Sequence, residues 1–77
     1  MQVGSQGDKV IELQTYLTVL GFGDKLKLEG IDGKFGPHTK NAVMEYQKDN
    51  YLSVDVIVGP QTYTSLCKDI YLILHLQ

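Results

Sequence analysis

The chain has 77 residues, 43% apolar and 21% charged, with seven lysines, no arginine, nine acidic residues and a net charge of −2. That length is one small domain, or one module of something larger, with too thin a core for a deep catalytic cleft. The apolar fraction excludes disorder, its even spread excludes a membrane span, and phosphate recognition lacks its bidentate donor, arginine.

The first periodic segment runs from about Asp8 to Leu20, where Val10, Leu13, Leu17 and Leu20 fall at helical spacing and Ile11 and Tyr16 flank the stripe. Ser5 or Asp8 is expected to cap this helix, and Gly21 to end it in a left-handed conformation. From Gly21 to Gly36 the helical period disappears. This stretch holds five glycines, an alternating Leu26 and Leu28, and an Asp32-Gly33 turn pair, and reads as a loop with a short extended piece. A connection that long in so small a domain is often functional.

Pro37 opens a second helix that reaches about Asn50, with Ala42, Val43 and Tyr46 inward. Tyr51 to Gly59 is a second irregular stretch. Pro60 then opens a third helix with Tyr63, Leu66, Cys67 and Ile70 inward. Ile70 to Gln77 is almost wholly apolar but too short to cross a bilayer; it either extends the third helix over the core or forms a bare apolar end. The fold expected is all-α: a small three-helix bundle with two long loops, one domain over 1–77, its core at about 3–68 and an apolar tail at 69–77.

The strongest internal signal is a repeat. DGKFGPHT at 32–39 and DVIVGPQT at 55–62 share Asp, Gly, Pro and Thr at one offset, and each is a turn feeding a helix start. Phe35 or Val58 can pack on the first turn as a staple, and Thr39 and Thr62 can bond backbone groups there. Gln14 and Gln47 lie beside the apolar stripes of the first two helices, where an amide can bond loop backbone and tie the loops down.

These residues resemble the bacterial peptidoglycan-binding domain of the three-helix type, found attached to cell-wall amidases, spore-cortex lytic enzymes, carboxypeptidases and phage endolysins. The resemblance covers about Val3 to Lys68. Gly7-Asp8, Val10, Leu13-Gln14, Leu17, Gly21-Phe22, the DGKFGPHT segment, Ala42-Val43, Tyr46-Gln47, the VGPQT segment and Leu66 carry it. It implies a non-catalytic module that holds an attached hydrolase on its polymer, outside the cell or in the wall or periplasm. The address would come from a parent protein or a phage lysis system, because no signal peptide opens the chain. A similar domain forms the pro-segment of matrix metalloproteinases, so packing on a neighbouring catalytic domain is the alternative. Val56 stands where the family usually has glycine, and Tyr63 where Trp is common.

Peptidoglycan offers apolar sugar faces, N-acetyl amides and stem carboxylates. The surface expected to meet it is the first repeat, Asp32, Gly33, Lys34, Phe35, Gly36, His38 and Thr39, whose helix start presents free N–H groups, together with Tyr51 for stacking on a sugar. Within that set, Asp32, like Asp55, reads first as a turn residue and Phe35 first as core or staple. Tyr46 and Tyr63 look inward, while Tyr16 and Tyr71 stay unassigned. Glycan or stem peptide, or both, is the expected partner, besides the attached catalytic domain; neither nucleic acid nor membrane is. His38, His75 and Cys67 fit no zinc spacing, Cys67 cannot form an internal disulfide and reads as a buried small hydrophobe, and no cofactor is expected.

Overall fold

The computed structural model describes residues 1–76, with Leu28 and Glu29 as backbone only. Three α-helices lie where apolar periodicity and the two prolines place them: α1, Asp8–Leu17; α2, Pro37–Asp49; and α3, Pro60–His75. Among the described residues there is no strand, and Gln6 and Lys34 form an isolated antiparallel bridge.

α1 buries Val10, Leu13, Gln14 and Leu17 on one stripe. Its start is not capped by Ser5 or Asp8. Gly7 holds the cap position at φ 112°, and Ser5 Oγ instead accepts the Gln2 N–H at 3.1 Å. The α-helix closes at Leu17, three residues earlier than the periodicity suggests, and widens into a π-type turn over Thr18–Phe22 that breaks at Gly21, φ 98°. Glycine reaches that left-handed conformation without a Cβ penalty, so it ends the first coil as expected.

The stretch Gly23–Glu29 departs from the expected extended piece, because it winds into 3-10 turns broken at Lys27. Leu26 is fully buried in the core there. The Leu26–Leu28 alternation thus carried no strand.

α2 and α3 begin alike. Gly36 and Gly59 hold extended backbone at the cap position, and proline follows at the first helical turn. Proline lacks the N–H that would otherwise go unpaired there, and its fixed φ suits the helix. α3 runs on through most of the apolar tail and still leaves much of it bare: Ile70 and Ile73 are half-buried, while Tyr71, Leu74 and Leu76 are exposed. Tyr71 and His75 stack at 4.0 Å near its end. Gln77 lies outside the described residues.

The core joins Val10, Leu13 and Leu17 of α1 to Leu26, Phe35, Val58, the inner face of α2 (Ala42, Val43, Tyr46) and Leu66 of α3. Truncating a buried leucine of this kind costs about 2–5 kcal/mol, so the small domain has little margin for such a change. The Phe22 ring meets Tyr46 edge-on at 5.7 Å. The Tyr46 hydroxyl donates to Asp69 Oδ2 and, its own proton thus used, accepts from Ser65, both at 2.7 Å. Cys67 is half-buried and not in the core as expected; one residue past Leu66, it sits at the edge of the α3 stripe.

Candidate functional site

Both repeats close as the same hydrogen-bonded knot around a buried glutamine. Gln14 Oε1 accepts the Gly33 N–H at 2.9 Å, and its Nε2 donates to Asp32 Oδ1, Lys34 O and Thr39 Oγ1 at 3.0, 3.1 and 2.9 Å. Gln47 Oε1 accepts the Val56 N–H at 3.0 Å, and its Nε2 donates to Asp55 Oδ1, Ile57 O and Thr62 Oγ1 at 3.0, 3.1 and 3.1 Å. Each aspartate also accepts the N–H two residues on, at 3.0 Å, which closes an Asx turn. An amide supplies the acceptor and two N–H donors, which are shared among the three acceptors; a carboxylate at position 14 or 47 would have no donor for the turn.

Asp32 and Asp55 are both held below the usual carboxylate range, chiefly by the backbone N–H of Lys34 and of Ile57, and secondly by the glutamine amides. The knots differ in the residue that turns left-handed. Gly33 has φ 75°, and a Cβ there would meet Ile11 at 3.2 Å, whereas Val56 holds φ 54° with its side chain half-buried. Valine at the family's usual glycine therefore keeps the tight turn, at a cost in strain.

An N-terminal arm fastens the two knots to one another. Met1 exchanges backbone bonds with Val58 at 2.7 and 3.0 Å, and Gly4, Ser5 and Gly7 bond Phe35 and Gly33 at 2.9–3.0 Å. Sequence patterning missed this arm, since backbone pairing between distant segments leaves no periodic trace.

The expected site residues divide by position. Gly33, Phe35 and Thr39 are buried, and Asp32 is exposed but spends its Oδ1 within the knot. Lys34 is exposed, and Gly36 and His38 are half-buried at the start of α2. Tyr51 lies beyond the far end of α2, about 20 Å along that helix from His38 at 1.5 Å per residue, so these residues form two surfaces and not one. Among the described residues there is no enclosed pocket, and no cluster of His, Cys, Asp or Glu side chains that could hold a metal. No described helix is long and apolar enough to cross a membrane.

Tyr63, on α3, donates its hydroxyl to Glu12 of α1 and stands under the Lys9 ammonium at 5.7 Å. The Glu12 bond, ahead of burial, pushes the Tyr63 phenol well up from its ordinary value. A phenol in place of the family's usual indole thus makes a polar tie between the two helices.

The chain is 47% identical over 60 residues to the N-acetylmuramoyl-L-alanine amidase CwlM of Mycobacterium tuberculosis, covering 78% of this chain and 14% of that protein. It is 43% identical to the spore cortex-lytic enzyme of Halalkalibacterium halodurans, over 88% of this chain and 19% of that enzyme. It is 40% identical to the zinc D-Ala-D-Ala carboxypeptidase of Streptomyces albus G, over 82% of this chain and 24% of that enzyme. The chain thus spans a quarter or less of the length of these curated relatives.

Among solved structures, the fold matches the SleB N-terminal domain with a TM-score of 0.81 at 36% identity, over 90% of this chain and 89% of that one. It also matches a peptidoglycan-binding protein from Clostridioides difficile, solved with glutamine hydroxamate, with a TM-score of 0.76 at 41% identity, over 86% of this chain and 39% of that one. The family match runs over residues 6–66, taking in α1, both glutamine knots and the core of α3, and the chain belongs to the peptidoglycan binding domain family.

Proposed function

We propose that this domain holds an attached cell-wall hydrolase on peptidoglycan and leaves the bond-breaking to that partner. The observation that carries the reading is a family match spanning both knotted helix starts, in relatives named as wall or cortex enzymes of which the domain is a small fraction. Its place is the cell wall or the space around it, with the address supplied by the parent protein. Weak contacts are enough, because tethering raises the local concentration of the enzyme on an insoluble polymer.

Two exposed regions suit the polymer. Lys34 and His38 flank the start of α2, where a stem carboxylate would meet the Lys34 ammonium and the positive end of the helix. Tyr51 offers an aromatic face to a sugar. Incubation with purified walls followed by sedimentation tests the reading: the domain is expected in the pellet, and recovery wholly in the supernatant would overturn it.

A specific observation supports a second role. Leu74 and Leu76 at the end of α3 are 68% and 77% exposed, and Tyr71 beside them is also in water. Such an apolar end suits packing against an adjoining catalytic domain. An NMR titration separates the two roles, since soluble muropeptides would shift loop resonances and the catalytic domain would shift those of α3.

A further inference from the structure

α2 ends in a Schellman motif: the Leu52 N–H bonds Gln47 O at 2.9 Å, and the Tyr51 N–H bonds Lys48 O at 3.3 Å. The residue that must turn left-handed in this motif is Tyr51, at φ 58°. Glycine is the usual occupant, because any Cβ is penalised there. This chain places a tyrosine instead, and 96% of its surface is in water, so the ring does not repay the strain by packing.

The same loop carries Val56, the other strained position of the second knot, and two further exposed apolar residues, Val54 and Ile57, at 52% and 44%. None of these exposed side chains belongs to the core, whereas the loop backbone is fixed by Gln47 and by the Met1–Val58 pairing. The result is a rigid turn that displays aromatic and aliphatic surface.

We propose that the loop 51–59 is the glycan-contacting surface of the domain, with the Tyr51 ring laid on the apolar face of an N-acetylhexosamine and Val54 and Ile57 adding apolar area. This rests on the reading of the domain as a peptidoglycan binder and names the part of the polymer recognised. Charge decides between glycan and stem peptide. Residues 51–59 contain no lysine, and their one charged side chain, Asp55, is negative. Apart from the Met1 ammonium bonded to Val58 O, a stem carboxylate meets no positive group on that loop, while a neutral N-acetyl sugar presents the ring face and amide that suit the exposed Tyr51, Val54 and Ile57.

The Schellman geometry supplies a clean test, because Tyr51→Gly removes the ring at a position where glycine favours the fold. Thermal melting is expected to show Tyr51→Gly at least as stable as the parent chain. Its binding to purified walls, and to soluble β-1,4-linked N-acetylglucosamine oligomers, is expected to fall about tenfold, the equivalent of one aromatic contact. Tyr51→Phe, which keeps the ring, is expected to bind as the parent does.

Parent-like wall binding by Tyr51→Gly would overturn this inference and leave the binding function standing. So would a parent chain that binds free stem peptide but not the sugar oligomer. A parent chain that fails to sediment with walls would overturn the binding function and this inference with it.

Discussion

The amide oxygen of Gln47 accepts the backbone N–H of Val56 at 3.0 Å and so holds a β-branched residue at φ 54°. The matching bond, from Gly33 to Gln14, spans a glycine at φ 75°. One knot is therefore relaxed and the other strained, though the glutamine and aspartate bonds correspond one for one.

Replacing Val56 by glycine relieves that strain. The unfolded chain gains freedom, which offsets part of the benefit, and the net expectation is about 1 kcal/mol of added stability, or roughly 4–8 °C in a domain of this size. Calorimetry of Val56→Gly checks this, and a lower melting temperature would mean that the half-buried valine contributes more packing than it costs in backbone strain.

Gln47→Leu keeps the volume of the side chain but strips the second knot of its donors and acceptor. The Val56 N–H and the Ile57 carbonyl then lose their partner, at an expected cost of about 3 kcal/mol. Hydrogen exchange should quicken first at residues 55–62, with 32–39 protected to the extent that global stability allows. Equal loss of protection in both knots would show that they open as one unit.

Acid should loosen both knots together. Asp32 and Asp55 have folded values below the ordinary one, so the unfolded chain takes up protons more readily. Their contribution is present above the unfolded value of about 3.9 and is lost as pH falls through the lower folded values. Urea unfolding between pH 6 and 2.5 is expected to show this slope, and Asp32→Asn combined with Asp55→Asn is expected to flatten it.

Tyr46 contributes to the alkaline limb together with the raised Tyr63: its phenol is pushed up from 10.0 to about 12, chiefly by burial. A raised folded value means that stability is complete below the unfolded value and declines as pH climbs through the folded one. Tyr46→Phe should therefore lose about 1–2 kcal/mol near neutrality, from the hydroxyl's bonds to Ser65 and Asp69, while its unfolding above pH 10 becomes less steep. An unchanged alkaline profile in this variant would assign the limb to another group.

The helix starts were legible because proline and glycine act locally: Pro37 and Pro60 mark the first turns of α2 and α3, and Gly21 closes the first coil. Gln14 and Gln47 were legible as loop ties because a buried amide beside an apolar stripe must find partners. The 3-10 turns around Leu26 were not, since so short a coil has no period to read. Tyr51 could be marked as exposed and aromatic, but its left-handed conformation depends on how α2 terminates, which no residue pattern announces. The separation of Tyr51 from Lys34 and His38 follows from the length of α2, a distance that a list of site residues does not contain.

The clasp between Met1 and Val58, with Phe35 held by Gly4 and Ser5, also decides how the domain answers a mechanical load. A pull applied at the amino end reaches these few bonds before it reaches any coil, so the clasp would yield first and the glutamine-bound turns would bear tension only afterwards. Under a load from that end, the first bonds to part thus lie in the seven-residue lead-in segment and not in the bundle.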